Sequence, residues 1–395
     1  MPSNDESFHV SVQDAREHAV LTVVQAAIAG VPDIVERLKA SLRKDPVVIS
    51  DLNGQELFYD FELLLAAQSI GYVRVAANQL VGSPGVAIEI GPRSWDFDRA
   101  VKKVSSAARR DLGQPGSPKL VCYSYPKLGV MFNSGDTKNP VVYDVASFDR
   151  IPPLRGDAEG AFAWSFLDSI PDRERPARLK RYRAYDQARS EVSPALLKRM
   201  VAARSIGAAV DVSEFVKVRS TKTRKLQYCP HYNETEARSH HCFSLHAQQV
   251  NDYCAVATCQ MVLCYYRYYY SQDEIAPRLG YSPGGGCPAD QSGGYENLTC
   301  NHLDAAFDSS PTFNKARTEI DALHPFKTGI PGHARACAGY SFTTWLFAAG
   351  TTDRKLYIYD PWPWNADLKL GGAVYWEDWD AITHTNYVTT RVNCP

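Results

Sequence analysis

The sequence predicts an α+β protein, and three observations carry that reading. Between residues 46 and 148 several β-prone runs follow one another around a hairpin signal, with helical patterns on either side. From residue 254 an apolar segment with helical periodicity begins, and alternating strand-like runs follow it near the carboxyl terminus. The 395 residues are too many for one ordinary core and point to two domains, or three. The expected architecture is a carboxyl-terminal domain with a helix packed on an antiparallel sheet, preceded by a separate α+β domain.

Taken in order, residues 1–45 read as helical. Ser11 can cap AREHAVLTVVQAA, and GVPDIVERLKASL starts a second helix with Pro32 in its first turn. PVVISDLNGQELFYDFEL then gives a hairpin around Asn53-Gly54, followed by IGYVRVAA, GVAIEIG, KLVCYSYP, LGVMFN and PVVYDVASF as strands. A helix at about 95–110, WDFDRAVKKVSSAARR, interrupts them. Residues 1–150 thus form the amino-terminal domain, without a catalytic constellation. Residues 151–228 are rich in Arg and Lys and read as a basic, partly helical linker lying against both domains. RSTKTRKLQ at 219–227 is its expected exposed, cleavable part. Residues 229–395 form the last domain. In it CPHYNETEARSHHC reads as an extended entry strand; Cys229, His231, His240, His241 and Cys242 have no usual zinc spacing, so no metal is expected. The nucleophile helix runs from Cys254 to about Tyr268. Ser271 and Glu274 form a capping-box pattern for a helix ending near Leu279, and GYSPGGGCPADQSGG is a glycine-rich loop for one cleft wall. Strands are expected at about 335–349, 355–360 and 385–392.

The chemistry concentrates in three runs. HAQQVNDYCAVATCQMVLCYYRYYY places Gln248 six residues ahead of Cys254 at a helix start, GHARACAGY carries His333, and KLYIYDPW carries Asp360. A thiol becomes a strong nucleophile only when ionised, and helix-start amides with a neighbouring imidazolium favour the thiolate. His333 would share the proton with Cys254 and later pass it to the leaving group. Asp360 would orient the ring from its other nitrogen. Gln248 would donate its amide, beside the Cys254 N–H, to the oxyanion. Gln249 competes with Gln248 for that role. Cys259 and Cys264 lack the helix-start position and read as core. His324 and His384 are rival histidines, but neither begins an apolar strand after a glycine. Trp362, Trp364, Trp376 and Trp379 are expected to shield the histidine–carboxylate pair, to pack as core, or both.

With these residues in view, the chain resembles the papain-like cysteine peptidases, in particular their bacteriocin-leader-peptidase-like branch. The resemblance covers about residues 244–395. It rests on QQVNDYCAVATCQMVLCYY, SQDEIAPRLGY, GHARACAGYSF and YIYDPWPWN in that order. Tyr253 and Ala255 flank the nucleophile where papain-like sites often carry Trp or Gly. The resemblance implies a papain-like catalytic domain, attack on an amide carbonyl through an acyl-enzyme, no cofactor, and a peptide or protein substrate. The six-residue offset favours Gln248 over Gln249. Water as acceptor gives a peptidase. An amine acceptor gives a transpeptidase, cyclase or transglutaminase-like enzyme, and an idle site gives a peptide-binding module. Since papain-like peptidases are often made with a covering pro-region, the amino-terminal domain is expected either to restrict the cleft or to recruit substrate.

Composition narrows the remaining classes. A net charge of −1 gives no general affinity for nucleic acid or anionic membrane. No run approaches the roughly 18 apolar residues of a membrane span. AVLTVVQAAIAG follows acidic residues rather than a basic leader, so cytoplasmic residence is expected, with secretion as the lesser alternative. Only Cys122 lies in the first 228 residues and nine cysteines follow, which leaves open reduced thiols or disulfides among Cys287, Cys300, Cys337 and Cys394.

Overall fold

The computed structural model describes residues 8–133, 140–153, 159–210, 218–226, 228–229, 243–345, 352–365, 367 and 370–393. Its backbone is one sheet of fifteen strands with helices laid against it. From one edge the order is Leu303–Asp308, Asn386–Val392, Phe326–Ile330, His333–Trp345, Thr352–Asp360 and Ala373–Asp378. It continues into the amino-terminal half as Gly85–Ile90, Gln68–Ala76, Glu56–Leu65, Val47–Ser50, Lys119–Ser124, Lys127–Phe132 and Val141–Asp144. All pairs along this path are antiparallel except the single Ser50–Val121 contact.

The amino-terminal strands are therefore not set apart as a separate sheet. Val374 to Glu377 pair with Ile90 to Ala87, so hydrogen bonds run across the junction of the two halves. The core is continuous there as well, and one buried cluster joins Val23, Phe58, Val75 and Ile88 to Cys259, Val262, Tyr359 and Trp376. Trp376 explains the fusion. Its ring stacks on Tyr357 with centroids 4.6 Å apart, and its indole N–H reaches Pro32 O at 3.1 Å.

Local chemistry accounts for most elements. Ser11 accepts the Asp14 N–H at 3.1 Å and starts the helix Val12–Ile28. The expected second helix is only a 3₁₀ run, Val35–Lys39, because Asp33 sits at φ 68 and breaks the helical path. Gly54, at φ 88, closes the hairpin between Val47–Ser50 and Glu56–Leu65. Asp96 caps Phe97–Leu112. The capping box of Ser271 and Glu274 has both of its bonds, and the helix Gln272–Ile275 runs on as 3₁₀ to Leu279. The helix expected to carry the nucleophile, Cys254–Tyr265, is buried at all twelve positions, which is why its sequence is apolar all round rather than amphipathic. It packs on His333–Trp345, Phe326–Ile330 and Phe243–Ser244.

The basic stretch folds as two helices, Arg175–Ser190 and Pro194–Ala202. Arg178 joins the two halves. Its buried guanidinium donates to Val81 O at 3.0 Å, Ala381 O at 3.1 Å and Thr383 Oγ1 at 3.1 Å. The segment expected to be exposed and cleavable is exposed at Ser220, Thr221 and Lys222, but most of it is the strand Val218–Lys225, paired with residues 339–345 of His333–Trp345. A backbone held in a ladder is a poor protease substrate. Tyr228 and Cys229 pair with Phe243 and Ser244, and the remaining zinc-type residues from His231 to Cys242 lie outside the described residues.

Replacing Arg178 with Ala leaves two buried carbonyls, of Val81 and Ala381, and the exposed Thr383 hydroxyl without their shared donor. The expected loss is about 3 kcal/mol of unfolding free energy in chemical denaturation. A change below about 0.5 kcal/mol would show that this side chain does not hold the halves together.

Candidate active site

Cys254 is the first residue of its helix, and the preceding Tyr253 provides no side-chain cap. Its thiol is fully buried, close to the backbone of Ala334. Burial pushes the thiol pKa up; the nearby Lys127 ammonium and the Ala334 N–H oppose that, while Glu159 and Asp252 add to it.

His333 opens the strand His333–Trp345 directly after Gly332, whose φ of 68 lets the chain turn into it. His333 Nε2 lies 2.8 Å from Asp360 Oδ1, with both side chains fully buried. His333 Nδ1 is buried and has no hydrogen-bond partner among the described residues. Burial lowers the imidazole pKa to about 4 against the pull of Asp360, and Lys127 lowers it further. Burial alone would raise Asp360, but His333, Arg335 and the Tyr375 hydroxyl hold it below the ordinary carboxylate value. Its oxygens are well occupied: Oδ1 also accepts the Trp362 N–H at 2.8 Å, and Oδ2 accepts the Tyr375 O–H at 2.7 Å.

Gln248 reaches the same place from the entry segment. Its N–H donates to Pro361 O at 3.0 Å, next to Asp360, and its buried side chain donates to Asn251 O. Its Oε1 has no hydrogen-bond partner among the described residues. Gln249 is only half-buried and is held by its backbone, with its N–H on Gln272 Oε1 at 2.9 Å. Of the two glutamines, the buried one is Gln248. The rival histidines sit elsewhere. His384 stacks on Trp379 at 5.3 Å between centroids, and His324 contacts Glu319 at 3.3 Å.

The expected tryptophan shield reduces to one residue. Trp362 is buried beside Asp360, with its indole N–H on Asp144 Oδ2 at 2.9 Å. Trp376 belongs to the seam of the two halves, Trp364 bonds to Gln249 O, and Trp379 packs on His384.

Several residues around the site carry no mark in the sequence. Lys127, on a strand of the amino-terminal half, is fully buried and donates to Gly160 O at 2.5 Å and Gly332 O at 3.3 Å. Tyr375 is tied through Arg335 to Glu377. Arg335 Nη1 donates to Tyr375 OH at 3.3 Å and to Glu377 Oε2 at 2.6 Å, and both ion-pair partners are fully buried. These residues are far apart in the chain, and only the pairing of the strands brings them to the site. Cys287 and Cys337 are buried free thiols and Cys300 an exposed one, so none of these three forms a disulfide; Cys394 lies outside the described residues.

The cysteine opens a helix, the histidine and carboxylate pair across adjacent strands, and the glutamine upstream is buried. Residues 240–386 match the model of the Peptidase C39 like family, so this part of the chain is similar to cysteine-peptidase-type domains of the papain-like superfamily. No curated protein matches the chain.

Two outcomes follow from this geometry. Glu377→Ala strands the Arg335 guanidinium without its carboxylate and should cost about 3–5 kcal/mol in denaturation. Adding Arg335→Met should recover much of that. Equal stability of single and double variants would contradict the coupling. The folded-state pKa of His333 lies below its unfolded value near 6.5, so its contribution to stability is present above about pH 6.5. That contribution is lost as pH falls toward about 4. Asp360, already lowered, loses its contribution only below the ordinary carboxylate range. The melting temperature should therefore drop from pH 7 to pH 5, and less steeply in His333→Gln; an unchanged slope would contradict a buried neutral imidazole.

Proposed function

We propose that residues 229–395 act as a cysteine peptidase. The reading is supported above all by one juxtaposition: His333 holds Asp360 with Nε2 and keeps a buried Nδ1 with no partner among the described residues, while the backbone N–H of the next residue, Ala334, favours the Cys254 thiolate. In this reading Cys254 gives its proton to His333 Nδ1, and the thiolate attacks the peptide carbonyl. The oxyanion is met by the Cys254 N–H and the Gln248 side-chain amide once that amide leaves Asn251 O. His333 then passes the proton to the leaving amine. A water molecule, deprotonated by His333, hydrolyses the thioester. Asp360, braced by Tyr375 and the Trp362 N–H, keeps the ring in place through both proton transfers.

The resting site is closed in this account. Cys254, His333, Asp360 and Gln248 are all fully buried, and burial favours the neutral thiol and neutral imidazole over the ion pair. The amino-terminal half supplies part of the cover through Lys127 and Gly160, which supports a restricting role for it over a recruiting one.

Cys254→Ala should abolish hydrolysis of a peptide library, read by mass spectrometry, whereas Cys259→Ala, at an equally buried position and with a similar cost in stability, should keep activity. His333→Ala should be nearly as damaging as Cys254→Ala. Asp360→Asn should be milder, because an amide still orients the ring, and Gln248→Ala should cost roughly a hundredfold. Near-normal turnover by Cys254→Ala, or a pH–rate profile without an acidic limb, would overturn the reading.

A further inference from the structure

A short stretch of the same chain already lies against the carboxyl-terminal half, bridged to it by backbone hydrogen bonds. Glu159 forms an antiparallel bridge with Cys287, with N–H to O distances of 2.9 Å in both directions. The next residue, Gly160, donates its N–H to Gly332 O at 3.2 Å, immediately before His333. One short segment thus hydrogen-bonds to the glycine-rich wall on one side and to the histidine strand on the other. Main-chain pairing of this kind is one way an extended peptide docks on another backbone. The wall is shaped for close approach. A Cβ at Gly286 would lie 2.1 Å from Glu159 O, so only glycine fits there.

The Glu159 side chain enters a pocket made wholly by the catalytic half. Oε1 lies 2.6 Å from Lys327 Nζ and 3.1 Å from Asn386 Nδ2, and Oε2 accepts from Gln291 Nε2 at 2.8 Å. Lys327 is completely buried, and its other partners are neutral oxygens, Ala289 O at 3.0 Å and Asn386 Oδ1 at 2.5 Å. Without a carboxylate, that ammonium would be a buried and uncompensated charge, which is strongly destabilising. The pocket needs an anion, and its three donors converge on one carboxylate.

We propose that this pocket is the acid-selective subsite of the cleft, that substrates are peptides seating an Asp or Glu side chain on Lys327, Gln291 and Asn386, and that Glu159 is a resident occupant which must leave before another peptide binds. The inference rests on the peptidase reading for the word substrate, but the subsite itself is a binding property. Lys127 completes the arrangement by clasping the Gly160 carbonyl, and its buried ammonium tethers the occupant to the amino-terminal half.

The test is binding of a fluorescent seven-residue peptide copying residues 157–163, with Glu, Gln or Lys at the position matching Glu159. It is read by anisotropy on the full chain and on full-length Glu159→Ala. The Glu159→Ala protein should bind the Glu peptide at least tenfold more tightly than the Gln peptide, and the Lys peptide more weakly still. The unsubstituted chain should bind the Glu peptide at least tenfold more weakly than the variant does. Equal affinity for the three peptides, or equal affinity of the two proteins, overturns the proposal. If Glu159→Ala melts early, Glu159→Gln keeps the shape of the occupant while removing its charge and is read the same way. If that variant also melts early, hydrogen exchange of the Gly160 amide in the unsubstituted chain decides. Millimolar Glu peptide should remove its protection where the Gln peptide does not, and equal effects of the two overturn the proposal. Acid-selective binding without turnover in any variant would sink the peptidase reading alone; turnover without acid selectivity would sink this inference alone.

Discussion

The pairing of Ala373–Asp378 with Gly85–Ile90 is the constraint from which the site hangs. That strand carries Tyr375, which donates to Asp360, and Glu377, which neutralises Arg335. Both need a dry environment to act strongly, because a hydrogen bond or ion pair gains force as the local dielectric falls. The strand has a neighbour on each side only because the amino-terminal half continues the sheet. Without Gly85–Ile90, Ala373–Asp378 becomes an edge, and the chain from Glu377 to His333 opens to water. The amino-terminal half is thus part of the support of the site as well as part of its cover.

Burial then decides the protonation state. For both Cys254 and His333 the largest influence is loss of solvation, which favours the uncharged form of each. Lys127 pulls in opposite senses on the two. A nearby ammonium favours a thiolate and disfavours an imidazolium, so it cannot by itself create the charged pair. Admitting solvent or a polar substrate relieves the dominant influence for both groups at once. In the proposed reading a closed, neutral site and an open, ionised one are two states of the same residues, separated by hydration and by where Gly160 lies.

Much of this was legible in the sequence where the signal is local. The Ser11 cap, the Asn53-Gly54 turn, the Ser271–Glu274 capping box and the fully apolar run after Cys254 each state their own structure. Cys254, His333 and Asp360 stand where the sequence put them, at the start of a helix, the start of a strand and the end of one. The second helix was over-read from its periodicity, since nothing in GVPDIVERLKASL marks Asp33 as left-handed. Lys127, Glu159 and the Arg335–Glu377 pair left no local trace. A lysine in an ordinary hairpin and a glutamate in a loop acquire meaning only from strands that lie more than a hundred residues away. The same long-range pairing turned a basic, linker-like segment into the strand Val218–Lys225.

The most direct measurement of this account is the alkylation rate of Cys254 against that of the exposed Cys300. It is followed residue by residue by mass spectrometry at neutral pH, in the unsubstituted chain and in full-length Glu159→Ala. In the resting chain Cys254 should lag far behind Cys300, because it is buried and its thiol pKa is raised. Releasing the Glu159–Gly160 strand should reverse that order, and the reversal should vanish when His333 is also replaced by Ala. Rapid labelling of Cys254 in the resting chain would contradict the closed, neutral site. Sluggish labelling after release of the strand would contradict a nucleophile activated by His333.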